Sequence, residues 1–361
     1  MSHSLRHSLD WKSHPAVVFE SDDWGACEYA PTRQEWERQK ALTPTGEWQP
    51  YFDGRLESPD DMERLGAVLE SVRDSRGHPA VFTAFTCLAN PDFAKIAAGG
   101  GKNYHDLMVD EGFPSPWPGR DVVASWQKAV ACGIWEPEFH ARFHHTHAAD
   151  WLALLRDPSP EGDRARGRFS RQIYCQDRHF PEYRAMTRAE IVSWISPAIE
   201  AFRRIFGRLP EAGVTSDATA EVEAVWAEHG MRIFCLRNFS IPGAPPIIYH
   251  TKPWNNQDAS TPMGAWNPQT DVIYLSRNIF FEPAHDPEYS FDRTMDHIRQ
   301  VWARNEPAVI STHRINYVHY RPEKEECGLR ELRRVLEALV ETPGIQFLST
   351  REVAARYRHG D

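Results

Sequence analysis

The 361-residue sequence has no apolar run approaching the roughly 20 residues that a membrane-spanning helix needs, which argues against a helical membrane protein. It also has no CxxC pair. Cys27, Cys87, Cys132, Cys175, Cys235 and Cys327 stand singly, so a zinc knuckle or dithiol motif is excluded and the thiols read as reduced. No Lys/Arg block occurs, and 41 basic against 51 acidic side chains give a formal charge of −10, a poor match for a phosphate backbone. Nucleic acid is therefore not an expected partner, and neither is a membrane. No GxGxxG or GxxxxGK[ST] turn follows a strand-like run, which removes support for a nucleotide-binding fold. The opening residues, MSHSLRHSLDWKSHPAVV, lack the apolar core of a secretory signal, so a cytoplasmic location is expected.

What is present is a globular composition, 41% hydrophobic and 25% charged, in a chain long enough to bury a large core. Thirteen tryptophans hint at sugar-ring contacts, although Trp is equally ordinary core material. Short β-rich runs are expected at 16–21, 80–86, 136–142, 212–217, 232–238, 271–278 and 307–314, with an eighth at 345–349. They alternate with amphipathic segments beginning near Pro59, Arg120, Arg188, Ala218, Ser290 and Gly328. Seven or eight strand-helix units without a clear linker predict an α/β fold, a closed or nearly closed parallel barrel. The whole chain, 1–361, is expected to form one domain. Long interruptions at 91–119, 156–187 and 239–270 read as loops that wall an active site.

In such a barrel, groups at the C-terminal strand ends converge on one mouth. The predicted ends carry Asp22 and Asp23, Asn90 and Asp92, His140 and His144, Asp217, Arg237, Arg277, and His313 with Arg314. The run VVFESDDWGA ends a buried strand in adjacent carboxylates, which turn chemistry alone would explain. The segment EFHARFHHTHAADW changes that reading. If the strand gives way to a helical turn, His140 and His144 at i and i+4 reach one cation, with His144 and His147 as the alternative pair. Two imidazoles and a carboxylate from Asp22 or Asp23 would leave coordination positions open for water and substrate. Neighbouring side chains on a strand diverge, so one Asp can hold the cation and the other can face its water as general base.

In order and spacing these residues resemble the polysaccharide deacetylases, the NodB homology domain of carbohydrate esterase family 4. The stretch Glu20-Ser21-Asp22-Asp23-Trp24-Gly25 is similar to that family's T-F-D-D-G motif, and His140-Ala141-Arg142-Phe143-His144 to its H-[ST]-x-x-H. Ala308-Val309-Ile310-Ser311-Thr312-His313 resembles its last histidine-bearing strand, and IQFLSTREVAARY its closing strand and helix, so the likeness runs from residue 16 to about 357. It implies a distorted (β/α)7 barrel with long loop insertions. It also implies Asp22 as general base, His313 as general acid, and Asp23, His140 and His144 as ligands of a divalent metal, zinc first. The implied reaction is hydrolysis of an acetyl or similar acyl group from an N- or O-acylated carbohydrate or related amide.

This sequence departs from the motifs in three places. Position 141 is Ala, Gly213-Val214-Thr215-Ser216-Asp217 stands where an R-x-P-x-G motif is expected, and no Asp-x-x-Asp-Trp occurs. Substrate-positioning and base-orienting groups are thus open among Trp24, Asp217, Arg237, Arg277 and Arg314. Two other readings stand beside the hydrolase: an inactive carbohydrate-binding protein on the same barrel, and a glycosidase using Asp22 with Asp217. Substrate identity and homo-oligomerisation are left open by the sequence.

Overall fold

A computed structural model describes residues 4–5, 9–43, 47–144, 146–174, 181–215, 219–236, 262–289 and 291–360. Its parallel strands are β1 (Ala16–Trp24), β2 (Phe82–Cys87), β3 (Trp135–Ala141), β4 (Ala212–Gly213), β5 (Ile233–Leu236), β6 (Val272–Ser276), β7 (Ile279–Phe280), β8 (Ala308–His313) and β9 (Gln346–Phe347). Hydrogen-bonded neighbours run β6-β5-β4-β3-β2-β1-β8-β7, with β9 on β1. β6 and β7 are separated only by Arg277 and Asn278, so one kinked segment pairs with β5 at its start and β8 at its end. Counting it once gives a distorted barrel of seven members, the architecture expected above. Asn278 stitches the seam: its side chain accepts from Val309 N at 2.9 Å and donates to Pro307 O at 3.0 Å.

Strand alternation divides the core in two. Val17, Phe19, Phe82, Ala84, Phe139, Phe234 and Ile310 face outward into a layer with Trp126, Trp226 and Leu332 of the surrounding helices. Val18, Phe85, Val214, Cys235, Leu275 and Val309 fill the barrel. Trp11 joins this inner cluster, its Nε1 donating to Tyr357 OH at 3.0 Å from the closing helix Thr350–His359. With both faces covered, β1 is buried at every position, which is why its sequence reads as a continuous run rather than an alternation.

Helix ends follow local chemistry. Ser58 and Thr187 form capping boxes with Asp61 and Glu190 at the starts of Pro59–Leu69 and Arg188–Phe206, and Gly207 closes the latter at φ 72°. Several expected elements are shorter than the sequence suggested. β4 keeps two residues of 212–217, while Asp217 and Arg237 lie outside the described residues. The expected loops are also more ordered than foreseen. Within 91–119 lies the helix Phe93–Ala98, and Asp106–Met108 pairs antiparallel with Ala89–Pro91. Within 156–187 lies Pro160–Phe169, started by a Ser159 cap. Of 239–270, residues 239–261 are outside the described residues, and Ala265–Asn267 adds an antiparallel strand to β6.

One close approach offers a test. Gly328, inside helix Pro322–Val340, lies against the turn Arg314–Asn316, where an added Cβ would stand 1.7 Å from Asn316 O. Gly328→Ala is expected to cost about 1–3 kcal/mol, read from the urea midpoint at constant m; an unchanged midpoint would contradict this packing.

Candidate active site and metal centre

The barrel's inner rows turn from apolar to polar toward their C-terminal ends. On β1 the row is Val18, Glu20, Asp22; on β8 it is Val309, Ser311, His313; on β3, Glu138 and His140; and Leu275 is followed by Arg277 at the kink after β6. Period-two alternation thus delivers Asp22, His140, Arg277 and His313 to one mouth. Asp23 has the opposite parity. It enters because β1 bulges between Ser21 and Trp24 and Asp23 takes φ 74°, a left-handed conformation uncommon for a non-glycine residue. The adjacent carboxylates therefore converge through a bulge, not through the simple divergence expected of a strand. The same bulge turns Trp24 outward into the core, edge-on to Trp135 at 4.5 Å with its Nε1 on Ser21 Oγ, so it is placed away from the mouth.

Asp23, His140 and His144 form one donor set, their ligand atoms all within 4.8 Å of one another. His140 Nε2 and His144 Nε2 lie 3.3 and 3.1 Å from Asp23 Oδ1. Each ring is oriented from behind. His140 Nδ1 meets Val214 O at 3.1 Å and His144 Nδ1 meets Glu28 Oε2 at 3.1 Å, which directs both Nε2 atoms inward. Buried Asp and His donors in a facial arrangement, with outward hydrogen bonds to the second ring nitrogens, fit a divalent cation. Burial alone would lower the affinity of His144 for a proton, but Glu28 and Asp23 outweigh it and push its pKa up to about 10; a cation on Nε2 would take the place of that proton. Burial pushes the Asp23 carboxyl up, yet the charge of His144 and hydrogen bonds from both histidines hold it well below the ordinary range.

The turn that brings His144 round is held by Glu182. Its Oε1 accepts from the backbone of Arg142 (3.0 Å) and Phe143 (2.8 Å) and from Trp194 Nε1 (2.7 Å). His147 is not part of the cluster; it stands at the N-terminal boundary of helix Ala148–Arg156 without a side-chain capping bond, its Nδ1 3.3 Å from Asp150 Oδ2.

Asp22 is fully buried and gripped end-on by Arg277, Nη1 to Oδ2 and Nη2 to Oδ1, each 2.6 Å. Burial opposes ionisation, but the Arg277 charge and hydrogen bonds overcome it and keep the carboxylate well below its usual range. His313 Nε2 stands 3.8 Å from Asp22 Oδ2, and its Nδ1 lies 2.5 Å from Glu282 Oε1. Burial lowers its proton affinity, and Glu282 more than restores it, so the net shift is upward. Asn316 Nδ2 in turn donates to Glu282 Oε2 at 2.6 Å. Beside His313, Tyr51 lies at right angles to the imidazole at 5.9 Å and stacks on His285 at 4.8 Å.

Arg314 does not reach this cluster. It binds Glu57 Oε2 (2.8 Å) and Ala26 O (2.9 Å), while Glu57 Oε1 accepts from Gly25 N and Asn90 spans Gly25 O and Cys27 N. Together these side chains pin the loop that follows Asp23. Glu20, Glu28, Glu57, Glu182 and Glu282 were not singled out in the sequence. Only Glu20 carried a signal there, its inward parity two residues before Asp22; the others are single glutamates outside any motif.

No protein-family model and no curated protein matches the sequence. Solved structures do resemble it. The proposed polysaccharide deacetylase of Mycobacterium smegmatis aligns over 99% of this chain and 96% of its own, with a TM-score of 0.51 and 10% identity. The 4-alpha-glucanotransferase of Thermococcus litoralis aligns over 95% of this chain but 40% of its own, with a TM-score of 0.50 and 9% identity. The chain therefore has the α/β barrel fold of the polysaccharide deacetylases. At such low identity the likeness establishes fold, and a glucanotransferase shares it.

The donor set predicts one divalent cation per chain, measured by elemental analysis, and lost in His140→Ala or His144→Ala. Glu28→Gln should keep the ligands yet weaken affinity about 10–100-fold in chelator competition. Wild-type affinity in that variant would show that Glu28 does not orient His144.

Proposed function

We propose that the chain is a metal-dependent hydrolase that removes an acetyl or similar acyl group from an acylated carbohydrate or related amide. The observation that carries this reading is the pairing, in one mouth, of a three-ligand donor set with a separate carboxylate-imidazole pair, Asp22 and His313. A divalent cation held by Asp23, His140 and His144 would supply Lewis-acid polarisation of the acyl oxygen and a more acidic water.

The remaining chemistry falls to the chain's own groups. Asp22, kept ionised by Arg277, takes the proton of the attacking water as general base. Arg277 engages both oxygens, which fixes the carboxylate plane while leaving each oxygen a further lone pair for that proton. His313, whose proton affinity Glu282 raises against its burial, gives a proton from Nε2 to the departing nitrogen or oxygen as general acid. Glu282, itself held by Asn316, keeps the other ring nitrogen protonated and the ring oriented. Tyr51, beside His313, is an aromatic group of the kind that suits a sugar ring, which presents apolar faces and hydroxyl edges.

The glycosyl-transfer reading draws on the glucanotransferase likeness. It needs one carboxylic acid and one carboxylate; Asp22, held ionised, suits only the carboxylate role, and its partner in that reading, Asp217, lies outside the described residues. A carbohydrate-binding protein on the same barrel is an outcome of the same experiment.

The experiment is acetate release from a panel of N- and O-acetylated saccharides by zinc-loaded protein, with reducing ends assayed in parallel. Asp22→Asn and His313→Ala should each lower kcat/KM about 10²–10⁴-fold with metal content unchanged. New reducing ends without acetate would replace the reading by glycosyl hydrolysis or transfer. Saccharide binding without either product would replace it by a binding protein, and an active Asp22→Asn variant would sink the base assignment.

A further inference from the structure

We infer that Glu20 is a positioning residue for the base: it anchors Arg277 from behind so that the guanidinium meets Asp22 end-on. The inference rests on Asp22 acting as that base. Glu20 and Asp22 share the inner row of β1, two residues and about 6.6 Å apart along the strand, and Arg277 fills the space between them. Its Nε donates to Glu20 Oε2 at 2.6 Å while Nη1 and Nη2 donate to the two oxygens of Asp22. All three side chains are sealed from solvent at 0% exposure. The other Glu20 oxygen is occupied as well, accepting from Thr350 Oγ1 at 2.8 Å and from Cys235 Sγ at 3.5 Å. Glu20 is thereby tied to the start of the closing helix and to β5, two elements outside Asp22's own strand.

The geometry of Arg explains why this matters. Its donors lie in one plane, so a carboxylate can be met end-on by the two Nη groups or side-on by Nε and one Nη. Glu20 occupies the Nε position and leaves only the end-on fork for Asp22. Arg277 also sits at the break between β6 and β7, where the segment leaves β5 for β8. Its side chain is thus located by Glu20, by Asp22 and by the ring of Phe85, 5.0 Å below the guanidinium carbon. Position 20 is where the resembling motif T-F-D-D-G has Thr, which is too short to reach Nε from this strand. The Glu20, Arg277 and Asp22 arrangement is this chain's own way of orienting the base without an R-x-P-x-G segment.

The test compares zinc-loaded wild type with Glu20→Thr and Glu20→Gln. Two readouts are taken: kcat and KM for acetate release, and the Arg277 Nε–H resonance by ¹⁵N NMR, assigned with Arg277→Lys. Glu20→Thr should lose the slowly exchanging Nε–H signal and lower kcat about 10–100-fold, with KM and metal content unchanged. Glu20→Gln, whose amide oxygen still accepts from Nε, should keep the signal and recover most of kcat. Should Glu20→Thr not fold, Glu20→Asp carries the same expectation, being one methylene too short with its charge kept. Wild-type kcat and a retained signal in the shortened variant would overturn the inference. If wild type releases no acetate at all, the deacetylase reading falls separately, and the Nε–H signal alone decides whether Glu20 holds Arg277.

Discussion

The arrangement depends on burying two adjacent carboxylates at the end of one strand. Removing an ion from water costs several kcal/mol even after relaxation, so Asp22 and Asp23 are tenable only with compensating charge within contact distance. Asp22 has both oxygens on Arg277, and Asp23 has His140 and His144. The loop behind them is fixed to match. Glu57, Asn90 and Arg314 satisfy the backbone of residues 25–27, so the bulge at Asp23 is held from the far side rather than left to its own conformational preference.

A parallel barrel is well suited to such a site because alternation sorts each strand into a core row and a mouth row. Val18, Glu20 and Asp22 form one continuous inner line that passes from packing to ion pairing to the carboxylate at the mouth. The same progression on β8 ends in His313. Asp23 breaks parity, and a bulge with one left-handed residue is the local cost. Since a deacetylase and a glucanotransferase share the architecture, the chemistry resides in which side chains occupy those row ends rather than in the barrel.

Acidic residues outside the motifs account for most of what reading the sequence missed. Asp22, Asp23, His140, His144 and His313 were legible from spacing, and they converge. Arg277 and Arg237 were indistinguishable, since each follows a strand-like run; Arg277 meets Asp22, and Arg237 lies outside the described residues. Trp24 and Arg314 sat beside motif residues yet point elsewhere, one turned by the bulge and the other drawn to Glu57. Glu28, Glu182 and Glu282 act on residues 31 to 116 positions away, which no local pattern encodes.

The sequence alone determined the alternation of strands and helices, the inward parity of Asp22, His140 and His313, and the chelating spacing of the two histidines. These are properties of neighbouring residues, set by backbone periodicity. Tertiary structure decided how the strands close through the kink at Arg277, how Asp23 turns inward, and which carboxylate serves which imidazole. Those outcomes depend on desolvation and charge pairing between distant segments, and such energies exist only once the chain has brought them into contact.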